Sequence, residues 1–287
     1  MYRNEFLSSA AVINFIDWIS VRLDKPDSFI HEYHMKKPSG DYYFNSIYSA
    51  FENYYWNFKT EDPLSGETIE GRSFYDSMYF IEKLSEGLKT SIARQNNHRC
   101  KELCFSILKW GGVSNNNSNK IDKLDDDIVN YFENVINTFK SNKALSEYYS
   151  DEIFMNSGFS KIYSFCMDDF IIYDGRVGSA LGYLVRKFCE DKLLDEVPEE
   201  LSFAWGRGRE YQYKGVKENR RNPGNNKYKF SELGNNQKRH TENNIKANWL
   251  LREILSTTDS KFNKVDEKFQ LRALETALFM IGYRVNF

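Results

Sequence analysis

The sequence predicts a mainly α-helical protein, and three observations carry that prediction. Through the first two-thirds of the chain apolar residues recur three and four positions apart, the spacing that lines one face of a helix. Only five Pro and sixteen Gly interrupt 287 residues. A composition of 41% hydrophobic and 16% aromatic residues supplies a substantial core, for one generous domain or two small ones sharing it. Disordered and collagen-like chains are excluded by the same figures.

Taken in order, the period predicts helices over residues 6–23, 42–58, 74–93 and 99–110, with few strands. In the third of these Met78, Ile81, Leu84 and Leu88 form one stripe, while Glu82, Lys83 and Glu86 lie off it. Gly111-Gly112 and the run SNNNSNK are expected to break the chain before a helix over 123–139, where three aspartates place negative charge at a helix N-terminus. After Asn156-Ser157-Gly158 a short helix is predicted over 159–167 and a long one over 176–193, with Asp174 placed to cap the latter. Val197-Pro198 closes that region. A loop with at most a short hairpin is expected next, then helices over 243–255 and 267–282. The order of elements suggests an N-terminal helical region (1–112), a central region (113–204), and a basic loop segment with closing helices packed on the same fold (205–287).

No apolar run approaches the roughly 18 residues of a membrane span, and the start of the chain has no signal-peptide pattern. A cytoplasmic monomer with no membrane partner is expected. Cys100, Cys104, Cys166 and Cys189 fall within apolar helical patterns, which predicts reduced thiols. Cys100 and Cys104 with His98 lack a second cysteine pair at ligand spacing, so neither a metal nor another cofactor is expected. His31 and His34 are expected at the surface.

The formal net charge is −2, but its distribution is uneven. From Trp205 to Ala247 eleven Lys/Arg stand against four Glu, so this stretch carries +7 and the rest of the chain −9. Its cations interleave with Trp205, Tyr211, Tyr213, Tyr228 and Phe230, a mixture suited to phosphate and base contacts. A solvated polar insertion is the alternative. Arg220, Arg221, Lys227 and Lys229 are candidate phosphate contacts.

The most informative stretch runs Met155-Asn156-Ser157-Gly158-Phe159-Ser160-Lys161-Ile162-Tyr163-Ser164, followed by Ile172-Tyr173-Asp174-Gly175-Arg176-Val177-Gly178. A lysine opens one predicted helix and, 13 residues on, an aspartate opens the next. This resembles the helix-hairpin-helix DNA glycosylase superfamily, in particular its 8-oxoguanine-glycosylase-like bacterial proteins, over residues 155–186. The match rests on Ser160-Lys161 and on Ile172-Tyr173-Asp174-Gly175-Arg176-Val177. A single glycine, Gly158, stands where the superfamily commonly has Gly-x-Gly, the Lys-to-Asp spacing is shorter, and the four-cysteine iron–sulfur motif of some relatives is absent.

The resemblance implies a helix-hairpin-helix glycosylase-like fold, double-stranded DNA as partner, and Lys161 and Asp174 as catalytic residues. The chemistry agrees. Breaking an N-glycosidic bond builds positive charge on the sugar, which a fixed carboxylate stabilises. A lysine made nucleophilic by desolvation can attack the same carbon and form a Schiff base, giving lyase activity. Taken singly, Asp174 could be an ordinary cap and Lys161 an ordinary surface lysine. Amides around Asn156, Ser157 and Gly158, with Ser160 beside them, would hold phosphates. Arg176 would steer the backbone, or else pair locally with Asp168 or Asp169.

Downstream, His240, Asn244 and Asn248 recur every four residues, with Trp249 alongside. This polar stripe is a candidate wall of a base pocket, with Trp205, Arg207 and Arg209 as candidates for its mouth. The expected activity is excision of a modified base. A bulky cytosine of phage DNA, such as glucosylated hydroxymethylcytosine, is favoured. An 8-oxoguanine repair enzyme and a non-catalytic DNA-binding module are the alternatives, with a metal-dependent nuclease ranked last.

Overall fold

The computed structural model describes residues 1–36, 38–208 and 219–286. Helices dominate, as the periodicity predicts, and two small antiparallel ribbons precede the first long helix. The helix expected over 6–23 is two, α1 (Arg3–Ser8) and α2 (Ala10–Ser20). The break falls at Ser9, whose extended backbone ends one helix while its hydroxyl caps the next by accepting from Val12 N at 3.3 Å.

The helix expected over 42–58 does not form. That stretch holds the end of β2 (Ser39–Phe44), a short α3 (Ile47–Glu52) and the start of β3 (Phe58–Glu61), which pairs with β4 (Thr68–Gly71). Phe44 fits a helical spacing with Ile47 and Phe51 but also a strand alternation with Tyr42, and pairing with β1 (His31–Lys36) decides for the strand. His31, Tyr33 and Met35 point inward, while Glu32, His34 and Lys36 point out. His31 is therefore buried rather than at the surface, with Nε2 3.0 Å from Ile281 O. His34 is exposed and pairs with Asp41.

α4 (Phe74–Ala93) and α5 (Asn97–Trp110) follow as expected. The asparagine-rich run is not a break: it forms α6 (Asn115–Leu124), with Ile121 buried and Asn117 Nδ2 donating back to Val113 O at 2.7 Å. A 3-10 turn over Asp125–Asp127 leads into α7 (Ile128–Lys140). Then come α8 (Ser157–Cys166), α9 (Gly175–Asp191), α10 (Gln237–Thr257) and α11 (Gln270–Ile281). α10 starts six residues before the predicted point because Asn236 caps it, accepting from Arg239 N.

Every residue of α8 except Ser157 is buried, as befits a helix packed on all sides. α4 and α5 lie against it, α11 packs on α3 and α9, and α10 crosses α1 and α2. The first turn of α9 touches the start of the basic segment backbone to backbone. A Cβ on Gly178 would stand 2.2 Å from Ala204 O, so only glycine fits there. The described part of the basic segment runs irregularly, with a bridge between Trp205 and Glu232. No helix among the described residues is long and apolar enough to cross a membrane.

Candidate active site

The N-termini of α8 and α9 converge on one cavity of about 630 Å³. Both carry a side-chain cap. Asn156 Oδ1 accepts from Gly158 N (2.8 Å) and Phe159 N (3.1 Å), and Asp174 Oδ1 accepts from Arg176 N (2.8 Å) and Val177 N (3.1 Å). The caps occupy one oxygen each, so Asp174 Oδ2 stays available at the cavity wall. It lies 3.7 Å from Lys161 Nζ, which also donates to Ser157 O at 3.3 Å. The lysine side chain is 8% exposed and that of the aspartate 16%, so the pair sits in a largely dry recess. The Lys161 stem crosses the turn after α5 at Gly111, where a Cβ would come within 2.4 Å of Lys161 Cδ.

Burial pushes the Asp174 carboxyl up. The Lys161 ammonium, the Val177 amide and the Arg176 and Arg221 guanidiniums outweigh it, holding the group below its ordinary range and charged at neutral pH. His240 borders the same cavity and sits 2.7 Å from Tyr173 O through Nε2. Since a carbonyl only accepts, Nε2 carries the proton. Burial lowers the pKa of this imidazole to about 4, so it is neutral at pH 7.

The connection from α8 to α9 is buried at Phe170–Tyr173, and side chains from distant helices satisfy its backbone. Ile171 N donates to Asn248 Oδ1 (2.8 Å), Asn244 Nδ2 donates to Ile171 O (3.2 Å), and Ile172 N donates to Glu275 Oε2 (2.7 Å). The polar stripe of α10 is thus a set of props beneath Asp174. Of the stripe only His240 lines the cavity, which corrects the expectation of a base-pocket wall at Asn244 and Asn248. Asn248 and Trp249 border a different cavity of about 290 Å³, and Trp249 packs against Phe6 and Tyr148. Trp205 is buried, donates from Nε1 to Phe230 O at 3.2 Å and does not line the cavity. Arg209, like Tyr211 and Tyr213, lies outside the described residues.

Other expected contacts divide in the same way. Asn156 and Ser157 line the cavity. Gly158 is buried against Asn117, and Ser160 is fully buried, its hydroxyl 3.2 Å from Ser157 O and 3.4 Å from Tyr173 O. These two pack α8 in place rather than facing a phosphate. Arg176, Arg207 and Arg221 lie around the cavity, Arg207 making a two-pronged pair with Glu232. Arg176 lies over the rings of Phe279 and Tyr283, while Asp168 pairs with Lys89 and Asp169 with Arg252. Arg220 stacks over Tyr283 at 4.1 Å. Lys227 and Lys229 are exposed and do not line the cavity.

The same cavity has an aromatic wall absent from the sequence reading. Tyr54, Trp56, Trp110 and Phe279 supply its rings, with Trp56 edge-on to Phe279 at 5.6 Å. Glu275 and Arg272 line it too, joined through Glu275 Oε2 at 2.6 Å. The sequence held one clue to the second pair: two opposite charges three apart in the apolar run from Leu271 to Ile281.

No family model, curated protein or solved structure matches this chain.

Proposed function

We propose that the protein is a DNA glycosylase that accepts an extrahelical base in the cavity between α8, α9 and the aromatic wall and cleaves its N-glycosidic bond. One observation carries the reading: two side chains of complementary chemistry, the buried Lys161 and the half-buried Asp174, meet at 3.7 Å in a cavity lined by rings. A base removed from its stack needs aromatic or apolar faces to replace that stacking, and the wall of Trp56, Trp110 and Phe279 offers them. Five basic side chains against three acidic ones border the cavity, a balance that favours the phosphates flanking a flipped nucleotide.

In this reading Asp174 Oδ2 faces the anomeric carbon and stabilises the positive charge that grows as the base departs. Lys161 Nζ forms a bond to that carbon while the glycosidic bond breaks, and the base leaves with the electron pair. Attack needs the neutral amine, so Lys161 passes its proton to the departing base while Asp174 stays ionised against the growing charge on the sugar. The volume falls within the range of about 300–1,000 Å³ typical of pockets for drug-sized ligands. That is more room than a bare pyrimidine ring fills, which favours a bulky modified cytosine of phage DNA, with 8-oxoguanine as the second substrate reading.

The deciding experiment incubates the protein with duplexes and phage DNAs carrying different modified bases and identifies released bases by mass spectrometry. Release that disappears in Asp174→Asn while duplex binding stays within a few-fold supports the reading. Tight DNA binding without release of any base would leave a non-catalytic binding module in its place.

A further inference from the structure

Two features of the aromatic wall are unexplained by cleavage chemistry. The first is Glu275. Its Oε2 accepts both from Ile172 N (2.7 Å) and from Arg272 (2.6 Å), whereas no described residue donates to Oε1. A buried carboxylate has about four acceptor positions, and one whole oxygen here is left to whatever enters the cavity that Glu275 lines. The second is a pair of indoles. Trp56 Nε1 and Trp110 Nε1 are both buried, and neither has a hydrogen-bond partner. Their rings meet edge to face at 6.4 Å and both border the same cavity. Both nitrogens are shut off from the cavity, so it is the indole rings and not the N–H groups that a ligand there would meet.

We infer that Glu275, beside the rings of Trp56 and Trp110, reads the edge of the bound base and selects bases bearing an exocyclic amine. The inference rests on the glycosylase reading only for how the base arrives. The selection follows from charge. A carboxylate accepts and never donates, so Oε1 seeks an N–H. The amine of cytosine projects clear of the ring beside such acceptors. In uracil and thymine the edge donor is N3–H, flanked on both sides by carbonyl oxygens that a carboxylate repels. Arg272 holds Glu275 in place, its second arm donating to Ser164 O on α8.

The test titrates the full-length protein with deoxycytidine and deoxyuridine at millimolar concentrations, following the indole N–H signals by two-dimensional NMR. Trp56→Phe and Trp110→Phe assign the signals while keeping a ring at each position. Deoxycytidine is expected to bind roughly ten-fold more tightly than deoxyuridine and to move both signals, as loss of a hydrogen bond to a charged group requires. Glu275→Gln keeps an acceptor for Ile172 N and should abolish the preference without unfolding the protein, a loss that a purely structural role would not produce. Each Trp→Phe change keeps a ring facing the cavity and should leave the preference for deoxycytidine in place. Equal binding of the two nucleosides, signals that do not move, or an unchanged preference in Glu275→Gln would each overturn the inference. Base release from DNA by the same preparation is scored separately. Release without the nucleoside preference refutes this inference alone, and the preference without release refutes the glycosylase reading alone.

Discussion

Near the starts of α8 and α9, Lys161 and Asp174 keep hydrogen-bonding capacity free toward a cavity, whereas one helix away Asn243 and Asn248 of α10 have theirs taken by backbone. Both groups are polar and largely withdrawn from solvent. The difference lies in what surrounds them. Asp174 meets its capping duty with Oδ1 alone and leaves Oδ2 beside an ammonium. Asn248 accepts from Ile171 N and donates to Asn244 O, and Asn243 accepts from Ala204 N and donates to Arg239 O. A buried polar side chain is available for chemistry only when the neighbouring backbone is satisfied by something else. Here α10 provides that satisfaction, so the props and the reactive pair are parts of one arrangement.

The sharpest way to break the comparison is to remove charge from the reactive side. Asp174→Asn keeps the cap geometry and removes the carboxylate charge. Excision should fall by on the order of 3 kcal/mol in the barrier, about a hundred-fold or more, with DNA binding within a few-fold. Base release at the wild-type rate would return Asp174 to the class of simple caps. Lys161→Gln should lose both borohydride trapping of a protein–DNA adduct and base release, because one bond-forming step serves each. Retained release would leave water as the nucleophile and Lys161 as a phosphate contact.

Acid probes the props. His240 is buried neutral, with its pKa lowered from 6.5 to about 4, so the unfolded chain binds a proton in that window that the folded one refuses. Stability should be full above pH 6.5 and fall toward pH 4, by up to about 3 kcal/mol for this residue. His31, lowered likewise to about 4, steepens the decline. Denaturant midpoints across that range should flatten in His240→Gln, and an unchanged profile would place the titration elsewhere.

Asn248→Ala strands the Ile171 amide and should lower unfolding free energy by about 1–3 kcal/mol. Its nucleoside preference should survive in the folded fraction, which separates a prop from a reading residue. The smallest effect is expected from Lys227→Ser with Lys229→Ser, exposed and outside the cavity. The plot of log affinity against log salt should flatten by no more than about 2, for two phosphate contacts at most. An unaltered slope would make this part of the basic segment a solvated loop.

Local signals carried far in this chain. The helical class, α4 and α5, and the Asp174 cap follow from periodicity and from side chains acting on amides two or three residues away, interactions that any copy of the segment makes by itself. Lys161 and Asp174 could be singled out because they stand 13 positions apart, each near the start of a predicted helix; in the structure Asp174 caps α9 and Lys161 lies in the second turn of α8. Where one residue fitted two periods, as Phe44 did, only pairing with β1 chose the strand. The aromatic wall joins residues 54, 56, 110 and 279, and the spare oxygen of Glu275 depends on Arg272 and on an amide 103 positions away. Whether the α10 asparagines faced a ligand or a loop was likewise settled in three dimensions. Hydrogen-bonding capacity is a property of residue type, but its occupancy belongs to neighbours that only packing brings together.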